Sequence, residues 1–236
     1  MYISNIEKAK ISYDHKDEIQ RLFKKYVNNE LYINHFSLNV FFGDGQSIFL
    51  SPTPEMAEEL CKHDFVSDDS NYDPEIYKNL KLYPWRSVQR HEADKVINFI
   101  KEEKFGMRSG NMIVRDLGDG RYIMYSFATH KRDNPDFPGQ FNYLYHCKAN
   151  YTAQMGDFLY DNLLSIINQY ANTTGVEMPK LNNFAPIELE SNLYSNEQRD
   201  ILHTINERTN TNVLKVIENK RGASLRLING GRVETL

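Results

Sequence analysis

The sequence predicts an α+β fold, an α-β-α sandwich around a central antiparallel sheet, with a short C-terminal extension. Three observations carry that expectation. GDGQSIFLS at 43–51 and GDGRYIMYS at 118–126 are near repeats, and each opens on an Asp-Gly turn, which needs a positive φ that Gly accepts at little cost. The second of these strands is apolar on both faces, with Ile123, Tyr125 and Phe127 on one and Tyr122, Met124, Ser126 and Ala128 on the other. A half-exposed strand would alternate instead. Helical periodicity lies before, between and after the two hairpins, so helices are at hand to cover the sheet. Burial of both strand faces then requires helices on both sides, or helices on one side and an enclosed cavity on the other. The second arrangement is a ligand site.

The elements follow in order. Between Asp14 and Asn28, Ile19, Leu22, Phe23, Tyr26 and Val27 recur at helical spacing among Lys and Glu, an amphipathic helix. HFSLNVFF and QSIFLS flank the first GDG and predict a hairpin over 35–51. Ser51-Pro-Thr-Pro opens a short helix over 55–62, with Thr53 able to cap and Pro54 suited to the first position. DFVSDDSNYDPE at 64–75 is acidic and turn-rich. Val88, Ala93, Val96, Ile97 and Ile100 predict a helix ending near Gly106. NMIVRDL, the second GDG and YIMYSFATH form the second hairpin. KRDNPDFPGQ is a loop, FNYLYHCKA fits a strand or the start of the next helix, and 152–171 is a long helix. NTTGVEMPKLNN loses periodicity, which places a domain at 1–175, a linker at 176–190 and a tail at 191–236.

A net charge of -4 on 236 residues gives no basic balance for whole-surface nucleic-acid binding. Cys61 and Cys147 are too few for a disulfide framework and lack metal-site spacing. With no apolar stretch of signal-peptide or membrane-spanning length, the expected location is cytoplasmic and away from the membrane. No residues speak for an enzyme: His146 and Cys147 are neighbours that a strand would point to opposite faces, and the histidines show no ligand spacing. No metal or cofactor is expected.

The run FGMRSGNMIVRDLGDGRYIMYSFA at 105–128, with YPW before it at 83–85, resembles the autoinducer-binding domain of LuxR-type quorum-sensing regulators. Trp85, Gly106, Gly110, Gly120 and Ser126 fall in one register with that family's pattern, and the resemblance covers about residues 15–175. It implies a sensor that binds a small amphipathic signal such as an acyl-homoserine lactone between the sheet and one helical layer. It implies a homodimer and a role in transcription regulation as well. Ser126 falls at the position whose hydroxyl contacts the acyl carbonyl, and Trp85 at the aromatic that closes over the head group. Asp69 falls at the carboxylate position, for which Asp73, preceding Pro74, competes.

Two departures stand out. Where the family has Tyr and Trp on the first pocket helix, this chain has Pro52 or Thr53, Met56 and Leu60, and a thioether offers no donor to a lactone carbonyl. In the tail, LYSNEQRDILHTINERT resembles only the first helix of a DNA-binding module. The alternating runs after it suggest a hairpin or an irregular tail as readily as a degenerate DNA reader.

Each residue also has a plainer reading. A lone Trp is by default a core anchor, a strand serine bonds backbone, and Asp in a loop makes turns. Met56 and Met124 fill cores as well as adaptable pockets. A second functional reading therefore stands beside the sensor: an interaction protein that keeps the fold without a ligand and binds a protein partner.

Overall fold

The computed structural model describes residues 5–27, 33–43, 45–62, 68–130, 143–172, 175–181, 215–216, 226–229 and 232–235. The first predicted hairpin is β1 (His35–Phe42) with β2 (Ser47–Leu50), and the second is β4 (Met107–Gly118) with β5 (Arg121–His130). Asp119 and Gly120 connect β4 to β5 at φ 53 and 74, the two positive angles of a type I′ turn, whose twist matches that of the flanking strands. The hairpins join through β1 and β5, and a short strand β3 (Leu82–Pro84) adds to β4. The result is an open antiparallel sheet in the order β2-β1-β5-β4-β3.

Around it lie α1 (Asn5–Asp14), α2 (Lys16–Tyr26), α3 (Pro54–Cys61), α4 (Pro74–Tyr77), α5 (Glu92–Glu103) and α6 (Tyr143–Ala171). FNYLYHCKA, open between strand and helix in sequence, supplies the start of α6 from Tyr143 onward, so His146 and Cys147 lie on a helix. Two short 3-10 turns, Ser70–Tyr72 and Trp85–Val88, stand where the sequence reads as a loop and as a helix start.

Register decides which side chains share a face, because residues paired across antiparallel strands point the same way. Phe36, Leu38 and Val40 of β1 pair with Phe127, Tyr125 and Ile123 of β5. This apolar face meets α6, where Tyr125 Oη donates to Asp157 Oδ1 at 2.9 Å. Arg115, paired with Ile123, donates from Nε and Nη2 to the two Asp157 oxygens at 3.0 and 2.8 Å. The opposite face carries His35, Ser37 and Asn39 of β1 beside Ala128, Ser126 and Met124 of β5. It is covered by Trp85, whose indole bonds Ser126, and by Tyr77, which packs on Tyr122 at 5.1 Å between ring centroids. Both faces are covered: the α6 face is largely apolar around buried Asn111 and Arg115, and the other carries a buried polar row along β1 at His35, Ser37 and Asn39.

Residues 176–181, in the stretch that reads as linker, lie along α6. Met178 and Leu181 are buried there, and their backbone N–H groups donate to Asn168 Oδ1 and Asp161 Oδ1 at 2.9 and 2.8 Å. The lost periodicity therefore marks an extended packed segment, held by helix side chains.

The chain divides into two compact units, Met1–Phe137 with Asn142–Glu190, and Pro138–Phe141 with Ser191–Leu236. In the second, the described residues form an antiparallel sheet of β6 (Lys215–Val216), β7 (Arg226–Asn229) and β8 (Arg232–Thr235). The helix expected at the start of this tail lies outside the described residues. No helix among the described residues is long and apolar enough to cross a membrane.

Candidate functional site

Trp85 follows Pro84 at the end of β3, and its 3-10 turn swings the indole over β4 at Gly110. A Cβ at Gly110 would lie 2.3 Å from Trp85 Cε2, so the absent side chain is what lets the ring lie on the strand backbone. From there Trp85 Nε1 donates to Ser126 Oγ at 2.9 Å, with both residues 3% exposed. Gly110→Ala is expected to cost about 1–3 kcal/mol through overpacking against this ring, read from urea denaturation.

Lys101, in the last turn of α5, is buried. Its ammonium stands 4.6 Å from the Trp85 ring centroid and 3.3 Å from Asp69 Oδ2. A cation over an indole face is attracted by the ring quadrupole, and the paired carboxylate offsets part of the desolvation of both charges. Asp69 Oδ1 accepts from the Asn71 N–H at 2.9 Å and from Asn71 Nδ2 at 2.7 Å, which turns the chain into the Ser70–Tyr72 segment.

Asp94 fixes that segment against α5. Its two oxygens accept from Ser70 N and Ser70 Oγ at 2.9 and 2.7 Å, and from the N–H groups of Arg90 and His91 at 2.8 and 2.9 Å. Burial alone would raise the Asp94 pKa, but these donors together hold it below the ordinary carboxylate value. Asp94 thus positions Asp69 opposite Lys101.

Thr53 precedes α3 but its hydroxyl makes no cap bond. It stands 2.7 Å from His35 Nδ1 and 3.2 Å from Ser51 Oγ instead. His35 is 1% exposed, with its ring in edge contact with Trp85 at 6.4 Å. Burial, and then the Lys101 charge, lower its pKa from 6.5 to about 3. The unfolded chain takes up this proton below about pH 6.5 and the folded chain does not. The stability His35 confers is therefore full above pH 6.5 and declines toward pH 3, by up to about 1.4 kcal/mol per pH unit. Urea denaturation of wild type and His35→Phe at pH 7, 5 and 4 should show a flatter acid slope for the variant, by about one proton.

Of the residues that the sequence singles out, Trp85 and Ser126 meet directly, and Asp69 joins them through Lys101. Met56, Leu60 and Met124 are buried, Met124 on the same sheet face as Ser126. Asp73 is elsewhere: its carboxylate accepts from Glu75 N at 2.8 Å to cap α4 and pairs with exposed Arg90 at 3.1 Å. The proline after it explains the assignment, since Asp-Pro is also how a helix begins.

His35, Asn71 and Lys101 are members of the cluster that sequence reasoning missed. Lys101 lies four residues after Ile97, on the buried side of α5.

Away from this cluster, Ala9, Lys10, Tyr13, Glu58, Cys61 and Lys62 line a surface groove of about 290 Å³ between α1 and α3. None of the expected ligand residues lines it. Among the described residues no group of three His, Cys, Asp or Glu could hold a metal ion. Among known proteins, no family model matches the chain, and no curated protein matches it in sequence.

Proposed function

We propose that this is a LuxR-like signal-binding protein that holds a small amphipathic molecule, an acyl-homoserine lactone or a related acyl compound, and acts as a regulator. The ligand would lie against the Ser126 face of the sheet, with Trp85, Asp69 and Lys101 at its polar end and Met56, Leu60 and Met124 along its chain. The observation that carries the reading is the polar row on that face. His35, Ser37, Asn39 and Ser126 are all 8% exposed or less. Burying such groups is unfavourable unless they are bonded, and apolar residues would serve stability as well or better. A recognition surface gives them a purpose.

An antiparallel sheet with helices packed around it is consistent with the fold that the LuxR resemblance implies. Native mass spectrometry of the purified protein tests the proposal, with a retained small molecule as the expected result. No retained mass, together with no thermal shift across lactones of different acyl length, would overturn it.

The second reading, an interaction protein without a ligand, draws support from other details. Trp85 bonds Ser126, and Lys101 pairs with Asp69, so the protein supplies partners for its own polar end. Val96 and Phe99 on α5 are 43% and 65% exposed, an apolar pair that a protein partner would cover.

A further inference from the structure

The stretch 85–105, from the Trp85–Val88 turn through α5, is tied to itself and to the turn at 69–72 by polar bonds. Arg86 pairs with Glu102, and Asp94 accepts from the N–H groups of Arg90 and His91. Asp94 also accepts from Ser70, and Lys101 pairs with Asp69. The ends of the stretch are Pro84 and Gly106, the latter at φ 69, a left-handed angle that Gly takes without strain. Residues at element ends absorb the rotation when a segment moves as a body. Bonds to the sheet hold it down: Trp85 Nε1 to Ser126 Oγ, Tyr83 Oη to the Asn71 carbonyl, and Asn39 Nδ2 to Tyr72 Oη.

His35 lies under this cover, 1% exposed and in edge contact with the Trp85 ring. Thr53 Oγ1, 2.7 Å from Nδ1, both donates and accepts, so it serves a neutral ring in either tautomer. Nε2 is fully buried and has no hydrogen-bond partner. An imidazolium carries a proton on both nitrogens, and here its Nε2–H would face no acceptor. The charges around the ring do not help. Lys101 of α5 is a second cation, and Asp69 is engaged by Lys101 and Asn71. The α3 carboxylates Glu55 and Glu59 are held by Lys16 and Lys104. His130, on the same face of β5, stands over Gly106.

We infer that residues 85–105, with the turn at 69–72 bonded to them, form a lid over the Ser126 face, hinged at Pro84 and Gly106, and that proton uptake by His35 opens it. Opening gives the imidazolium water to bond and takes the Lys101 ammonium away from it. Open, the ring returns to its ordinary pKa of 6.5; closed, burial holds it at about 3. The open form therefore takes up a proton below pH 6.5 that the closed form does not. The open-to-closed ratio is constant above pH 6.5 and rises by up to about tenfold per pH unit below it. The lid needs no ligand and stands whether or not the sensor reading holds.

The chain has one tryptophan, so hydrogen exchange of a single indole N–H, followed by NMR on the full chain, reads the lid. Protection is the rate relative to N-acetyl-tryptophanamide at the same pH. It is expected to be at least about tenfold weaker for the indole than for the β5 backbone N–H groups, which open with the whole sheet. Indole protection should fall by about 10- to 100-fold between pH 6.5 and 4.5, a window above the ordinary Asp94 value of 3.8. His35→Phe should remove that fall, and His130→Gln should keep it. Indole protection equal to that of β5 in wild type would show that the site opens only by global unfolding, and would overturn the lid. A wild-type change below about threefold across the window, or a fall that survives His35→Phe, would overturn the histidine trigger.

Discussion

Lys101→Met is expected to destabilise the protein by about 3–5 kcal/mol, because it leaves the Asp69 carboxylate buried without its counter-charge. Asp69 is 3% exposed, and the bonds from Asn71 compensate only one of its oxygens. Adding Asp69→Leu to the same chain should restore stability to within about 1 kcal/mol of wild type or raise it above, since apolar replacement of a buried pair is often neutral or favourable. Urea denaturation of wild type, the single variant and the double variant checks both statements. A loss below about 1 kcal/mol in the single variant would mean that the pair is solvated. Recovery in the double variant, with ligand binding lost, would mean that the pair is kept for recognition.

Asp157→Ala should be comparably severe, at about 3–5 kcal/mol, for a reason on the other side of the sheet. Asp157 holds both terms of a network: the Arg115 guanidinium bonds its two oxygens, and the Tyr125 hydroxyl donates to one of them. Burial, followed by the neighbouring Asp157 charge, raises the Tyr125 pKa well above its ordinary value, so the phenol stays protonated and needs an acceptor. The alanine variant takes the carboxylate away from a buried guanidinium and a buried hydroxyl at the contact between α6 and the sheet. Tyr125→Phe, which removes one neutral donor, should cost only about 1 kcal/mol. Because this network faces α6, the proposed sensor reading has the folded fraction of Asp157→Ala bind an acyl lactone as tightly as wild type does. Reduced affinity per folded molecule would show that the two faces are coupled.

The sheet was legible because two independent signals agreed: Asp-Gly turns at 44–45 and 119–120, and a strand with no solvent face. β3 was not, since three residues ending in proline carry no periodicity, and only pairing with β4 makes them a strand. The candidate site was legible where a residue was out of place locally, as Ser126 is in an apolar strand and Trp85 is after a proline. His35 and Lys101 were hidden for the opposite reason. HFSLNV alternates polar and apolar like any half-exposed strand, and a lysine followed by Glu102 and Glu103 on a helix reads as solvated charge. Tertiary coverage buries the polar side of both elements, and no local pattern encodes that coverage. The two aspartates divide on similar grounds. Asp69 and Asp73 look alike in an acidic loop, and only the fold brings one to Lys101 and leaves the other capping α4.

Trp85 is the only tryptophan in the chain, so its fluorescence reports this site alone. Titration of the protein with N-octanoyl-homoserine lactone is the most direct test of a ligand face at Ser126. Binding there must disturb the indole's bond to Ser126 or its contact with Lys101, so a saturable change in Trp85 emission that Ser126→Ala weakens is expected. Emission unmoved by acyl lactones of short, medium and long chain would overturn a ligand face at Ser126.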